Sequence, residues 1–236
     1  MFFSMRLFCY LLATSLVSST HVWGGVEQFN TEAAQKHSVE RTLTTNNFNP
    51  YHFYTFRQDY RKCLAPLCGG IFVKSVNKKV THCPDGTVQT ECYVALVLSQ
   101  PTIELSSAHL LQGTLLNKAI APFTALPVMR LKQAYRSATP ALIAGVVVGL
   151  QDNGIRCVTT PCFVTNSYYL NKHKVRAVSA FDLSAVGSSE ATLAQAFIMY
   201  DHQQVVLASG KFHVQQTRQG NDVTFTAQQF YLPIIP

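Results

Sequence analysis

Acidic residues are scarce in this chain: 12 Asp and Glu stand against 19 Lys and Arg in 236 residues, a formal net charge of +7. So few acids make a glycosidase hard to build, because its chemistry needs two carboxylates about 5–10 Å apart. Asp59, Asp85, Glu104, Asp152, Asp182 and Asp222 are the candidates, and no motif pairs them. Charge of either sign is sparse, at 13%, beside 47% hydrophobic residues; that balance excludes a disordered chain and supplies a core. Long apolar runs are missing as well. Leu7–Val17 and Ala141–Leu150 are both too short to cross a bilayer about 30 Å thick. The chain has no G-x-S-x-G elbow, no H-E-x-x-H helix, no P-loop and no dinucleotide glycine fingerprint, which removes the commonest hydrolase, zinc-protease and nucleotide-binding templates. No nucleic-acid recognition motif is present either. No catalytic, cofactor-binding or metal-ligating residue is therefore assigned, and neither a cofactor nor a nucleic-acid partner is expected.

What is present begins with a basic Arg6, the apolar stretch Leu7–Val17, and small and polar residues from Ser18 to Gly25. This is the layout of a secretory signal peptide, spanning 1–24, with cleavage after Ser19 or Gly24. Export, to periplasm or medium, follows, and no transmembrane segment remains. Cys9 would leave with the leader. Six cysteines then remain: Cys63, Cys68, Cys83, Cys92, Cys157 and Cys162. An even set in an oxidising compartment points to disulfides, with 15 possible connectivities; sequence order favours the three local pairs. A zinc site using Cys63, Cys68, His82, Cys83 and Cys92 is the chemical alternative, although C-x4-C departs from the usual knuckle spacing.

The cysteines also reveal an organisation. Cys63-Leu64-Ala65-Pro66-Leu67-Cys68 and Cys157-Val158-Thr159-Thr160-Pro161-Cys162 are C-x4-C cassettes with an internal proline, 94 positions apart, and each leads into a β-prone run that closes on an asparagine, Asn77 or Asn171. Tyr93–Ser99 matches Val178–Ser184, and Leu110–Gly113 matches Leu207–Gly210. An internal duplication is the reading: residues 25–50 a flexible leader, 51–139 a first β-rich repeat, 140–236 a second. Strands are predicted over 51–57, 71–76, 80–83, 92–98, 110–116, 129–135, 141–150, 163–170, 175–183, 204–208, 211–216 and 223–232. A loop or short helix is expected over 119–127, and Gly210 and Gln219–Asp222 are expected as hairpin turns. One helix is clear, from Ser188-Ser189-Glu190 to about Tyr200, with Leu193, Phe197 and Tyr200 on its core face. The fold class is α+β, predominantly β: two similar antiparallel-sheet lobes with disulfide-pinned loops.

Arg61-Lys62-Cys63-Leu64-Ala65-Pro66-Leu67-Cys68-Gly69-Gly70, the Cys83-Pro84-Asp85-Gly86 hairpin and Gly154-Ile155-Arg156-Cys157-Val158-Thr159-Thr160-Pro161-Cys162 together resemble an uncharacterised bacterial domain-of-unknown-function family of exported proteins and lipoproteins. The similarity covers roughly residues 53–212. Phe163 stands where that family usually has proline, and the lipidation cysteine is absent. The resemblance implies export and the local cysteine pairing; it carries no activity or ligand.

Basic residues flank both cassettes: Arg57, Arg61, Lys62, Lys74, Lys78 and Lys79 around the first, Lys172, His173, Lys174 and Arg176 after the second. An electropositive face for an acidic glycan, envelope surface or protein is one reading; edge strands protected by lysines is the other. Asp201-His202 resembles half of an acid–base pair, but a histidine there also complements a helix dipole. The leading expectation is a non-catalytic binding or inhibitor-like module. Its expected contact surface comprises Leu64, Pro66, Leu67, Val158, Thr159 and Pro161 with Arg61 and Lys62, because loops stiffened in advance lose less entropy on binding. A hydrolase built from dispersed acids and histidines, and a structural envelope component, are the alternatives.

Overall fold

The structure, a computed structural model, describes residues 48–141 and 143–236. The predicted signal peptide, and the predicted leader up to residue 47, lie outside the described residues. The described part is mostly β with one helix and three disulfides. In chain order the strands are β1 (Phe53–Gln58), β2 (Ile71–Ser75), β3 (Thr81–His82), β4 (Val88–Gln89), β5 (Cys92–Val94), β6 (Leu96–Leu98), β7 (Leu110–Ile120), β8 (Phe123–Ser137), β9 (Val146–Asp152), β10 (Thr165–Tyr169), β11 (Val175–Val178) and β12 (Ala180–Asp182). Helix α1 (Glu190–Asp201) and strands β13 (Val206–Thr217) and β14 (Gly220–Pro233) follow.

Their pairing closes two rings. β1 pairs with β2, β2 with β5, β6 runs parallel to β8, β8 pairs with β7, and β7 returns to β1. Ala95 joins β5 to β6, and its N–H donates to the Pro127 carbonyl. In the second half β9, β10, β11–β12, β14 and β13 close in the same order, with Ser179 N–H donating to the Val223 carbonyl. Closure removes the open edges that would otherwise recruit other chains. Alternation fills each ring: Ile71 and Val73 point inward from β2, Phe72 and Lys74 outward.

The rings meet where β8 and β14 pair antiparallel, Tyr135 with Pro233, Arg136 with Leu232 and Ser137 with Tyr231. The flanking bonds are reciprocal too, Ile234 N–H to the Ala134 carbonyl and Ala138 N–H to the Phe230 carbonyl. A buried apolar cluster spans the seam, Phe53, Val76 and Leu110 against Val147, Leu170, Leu207 and Tyr231, and two side chains bond across it. Asn77 Oδ1 accepts from Val147 N–H at 2.9 Å while its Nδ2 donates to the carbonyls of Val147 and Leu170 at 2.6 and 3.0 Å. Asn171 does the same to Phe53, at 3.0 and 2.6 Å, and to Val76 at 3.1 Å. Both asparagines sit in the left-handed region, at φ 59° and 57°, a conformation their short polar side chains tolerate better than most. Contacts in which i meets j and j meets i have the form of a two-fold interface.

Several expectations change in detail. Residues 119–127 extend one long hairpin, β7–β8, which turns at Ala121-Pro122. Gly210 is not a turn: β13 runs straight through it with a register shift after Ser209, and a Cβ there would lie 2.1 Å from the Thr226 carbonyl oxygen. The shift also ends the expected alternation of β14, since Gln229, Phe230, Tyr231 and Leu232 are all buried. Gly113 carries the equivalent shift in β7, with a Cβ 2.5 Å from the Arg130 carbonyl oxygen. Ile71 pairs with Val94 and Thr165 with Val178, so at the cassette spacing of 94 Val94 and Val178 hold the same strand position, one residue away from the alignment of Tyr93 with Val178. Helix α1 starts as expected, with Ser189 Oγ accepting from Thr192 N–H at 3.3 Å. Its buried residue is Ala196, however, while Phe197 is 38% exposed and stacks on Phe181. Leu193 and Tyr200 do pack against the core of the second ring, with Met199 beside them, so the covered stripe is narrow and passes through Ala196 instead of Phe197.

A candidate ligand-binding cleft

The first cassette leaves β1 at Asp59, whose carboxylate is nearly fully buried and organises the loop. It accepts two side-chain hydrogen bonds from Arg61, both at 2.9 Å, and backbone N–H bonds from Arg61 and Gly69 at 3.1 and 3.2 Å. The Arg61 guanidinium holds the Asp59 carboxyl well below the usual carboxylate range, at about 2. The second cassette is anchored similarly: Arg156 donates to Asp152 at 3.0 Å, Gly154 N–H donates to the same carboxylate at 2.9 Å, and the arginine bonds again lower that carboxyl. Disulfides join Cys63 to Cys68, Cys83 to Cys92 and Cys157 to Cys162, with Cα separations of 5.7, 5.5 and 5.7 Å, within the usual range for such bridges. The sulfurs a zinc site would use are joined to each other.

The register of β1, β2 and β5 sets Arg57, Phe72 and Tyr93 in one row on the outer face. Arg57 lies 4.2 Å from the Phe72 ring centre, and Arg61 lies 5.0 Å from both Phe72 and Tyr93. Such cation–aromatic contacts contribute about 0.5–1 kcal/mol each at exposed sites. Arg57 is oriented in turn by Glu91, which accepts from its Nε at 3.1 Å. The Tyr93 hydroxyl donates to the Pro66 carbonyl at 2.8 Å and so ties the cassette down onto the row.

Two further elements rise beside this floor. One is the β3–β4 hairpin, clasped by Cys83–Cys92; the other is the β7–β8 tip, whose Asn117 Nδ2 donates to the Pro84 carbonyl at 2.9 Å. Between them lies a cleft of about 440 Å³ bounded by Arg61, Phe72, Tyr93, Asp85, Asn117 and Pro127. Two larger hollows, about 490 Å³ between the barrels and about 570 Å³ beside β6, have no cation set over an aromatic ring. The second barrel has no equivalent floor, because its corresponding row is Gln151, Asn166 and Ala177. Its own aromatic pair, Tyr169 stacked on Phe212, is covered by Lys174 and Arg176.

Of the residues expected to form a contact surface, Leu64 and Leu67 are 84% and 59% exposed beside the cleft, Arg61 lines it, Pro66 is tied to it, and Lys62 is exposed. Val158 and Thr159 are also exposed and Pro161 is half-buried, but at the other end of the molecule. β8 and β14 pair antiparallel only at their last residues, so the two long hairpins leave the seam in opposite directions, each carrying its cassette outward. The two cassettes therefore do not form one surface. Phe72, Tyr93 and Asn117 escaped the sequence reading. An aromatic facing outward between Ile71 and Val73 was the available signal; the pairing that sets Tyr93 beside it is long-range. Asp201 and His202 are exposed at the helix end, and among the described residues no group of three or more His, Cys, Asp or Glu is placed to hold a metal ion.

The fold and the site define a class: a disulfide-pinned protein of two five-stranded barrels with one aromatic–arginine cleft. The chain belongs to the DUF6748 family, described as a domain of unknown function, which matches residues 52–236. No curated protein and no solved structure matches it.

Proposed function

We propose that this is an exported, non-catalytic binding module of bacterial origin, built by internal duplication, in which the first barrel holds a polypeptide segment of a partner. The observation that carries the reading is the Arg61–Phe72–Tyr93 group lining the cleft, with Arg57 over the same Phe72 ring; the row it stands on is replaced in the other barrel. Aromatic residues and arginine dominate binding energy at protein interfaces, and the exposed Leu64 and Leu67 extend the same surface with apolar area. Five-stranded barrels of the OB type bind ligands on the face of their second and third strands and on the adjoining loops. The cleft occupies that face here, an analogy that bears on location and not on ligand. Three disulfides favour an oxidising compartment, and the signal-peptide layout agrees with it. The reciprocal seam and the shared connectivity favour duplication.

The test is titration of the isotope-labelled mature chain with a library of peptides, read by NMR. Binding should shift the amides of Phe72, Tyr93, Leu64 and Asn117, and Phe72→Ala with Tyr93→Ala should abolish it while Asn166→Ala in the second barrel leaves it intact. Shifts confined to the second cassette, or binding indifferent to the paired substitution, would defeat the proposal.

A further inference from the structure

The seam that separates the cassettes brings the basic turns together. Asn77 and Asn171 each bond the backbone of the other half, so Asn77-Lys78-Lys79 and Asn171-Lys172-His173-Lys174 lie side by side across the two-fold relation. Lys78 corresponds to Lys172 and Lys79 to His173 at the cassette spacing of 94. All five basic side chains of these turns are exposed. Among the described residues the ion-paired carboxylates are Asp59, Glu91 and Asp152, and they serve Arg61, Arg57 and Arg156 near the cassettes.

Beside the turns is a cup of about 290 Å³ with Lys78, His52, His82, Tyr51, Ser75 and Thr114 on its wall and no carboxylate among its lining residues. His52 holds φ at 66°, an uncommon conformation for a residue with a side chain, and the fold keeps it there through Gly113 N–H, which donates to its carbonyl at 3.0 Å. The Tyr51 hydroxyl and His173 Nδ1 share a hydrogen bond, linking the cup wall to the second turn. Donors gathered round a concavity, with Lys78 on its wall and the second basic turn tied to it through His173, make a receptor for an oxyanion.

We propose that this seam binds a linear acidic polysaccharide, one carboxylate or sulfate entering the cup and its neighbours lying along the two lysine turns. A polymer suits the surface better than a flat lipid headgroup layer, because the cup accepts a group that projects from a chain. This site is separate from the first-barrel cleft and does not rest on it. The full mature chain should be titrated with polygalacturonate, heparin, neutral dextran and phosphatidylglycerol vesicles at low salt and again at 0.15 M, where the screening length is about 8 Å. The two acidic polymers distinguish a carboxylate preference from a sulfate preference, and either supports the proposal if dextran does not bind. Lys78→Glu with Lys172→Glu should weaken binding by at least about tenfold through charge reversal, with the milder Lys78→Gln/Lys172→Gln pair weakening it less. Phe72→Ala should leave it unchanged. Absence of binding at low salt, equal binding by the charge-reversed protein, or retention only on phosphatidylglycerol vesicles would overturn it.

Discussion

At the scale of single residues, two aspartates give each cassette its shape, and Asp59 has the larger consequence because its carboxylate is almost out of solvent. Its folded pKa, about 2, lies below the roughly 3.9 of an unfolded aspartate. A depressed carboxyl adds stability that is fully present above the unfolded value and disappears as pH falls through the folded one. Melting temperature should therefore decline between pH 4 and 2. Asp59→Asn should flatten that decline, and the two proteins should converge toward pH 2; Asp152, lowered for the same reason, leaves a residual slope in the variant. A variant whose acid profile runs parallel to the parent's would contradict this. Gly210 poses a different single-residue constraint. A methyl group at 2.1 Å from the Thr226 carbonyl oxygen forces the β13–β14 ladder apart, so Gly210→Ala should cost about 1–3 kcal/mol or more by denaturant unfolding. Gly220→Ala, at the open hairpin end, meets no atom within 4 Å and should cost less despite its positive φ.

At the scale of elements, alternation, turn residues and the capping serine made most strands and the one helix legible, because those signals are local. Ring closure was not legible. β5 and β6 read as one continuous run, and only the pairing of Leu96 with Val128 and of Ile71 with Val94 shows that Ala95 carries the chain from one neighbour to another. Gly210 read as a turn because a bulge glycine and a turn glycine look alike without the partner strand, and nothing local marked the bulge at Gly113 inside the strand 110–116. The same limit hid the cleft: Arg61 was visible beside its cysteine, whereas Tyr93 joins Phe72 only through register. The β3–β4 hairpin is the element most dependent on covalent help, since two-residue strands have little stability of their own. Replacing Cys83 and Cys92 by serine should cost that hairpin about 2–3 kcal/mol of local stability. Hydrogen exchange should quicken over residues 81–91, while protection in β13 and β14 stays as it was. Uniform loss of protection throughout the protein would show instead that the bridge holds the whole barrel.

At the scale of the whole molecule, two barrels become one unit through a short ladder, two side chains and a buried apolar cluster drawn from both halves, Phe53, Val76 and Leu110 with Val147, Leu170, Leu207 and Tyr231. Asn171 is almost fully buried, and it offers Phe53 the acceptor and donor that a neighbouring strand would have offered; Asn77 treats Val147 in the same way. Removing either amide strands a backbone N–H and one carbonyl at the seam, those of Phe53 and Val76 or of Val147 and Leu170, while the Phe53 and Val147 carbonyls keep the N–H bonds of Val76 and Leu170; an unsatisfied buried group costs about 1–3 kcal/mol. Alanine in the left-handed region adds about 1–2 kcal/mol. Each single substitution, Asn77→Ala or Asn171→Ala, should therefore cost about 2–5 kcal/mol, with the larger loss at the more buried Asn171. The double variant tests how the halves are coupled. While the seam is intact, calorimetry should show one transition whose van't Hoff and calorimetric enthalpies agree. Without both asparagines the β8–β14 ladder and the apolar cluster still join the two self-closed rings, but the polar pairing between them is gone, and the transition should broaden or divide as each barrel melts at its own temperature. A double variant that still melts in a single sharp step, merely at lower temperature, would mean that the three ladder pairs and the apolar contacts around Tyr135 and Tyr231 are enough to make the barrels cooperative.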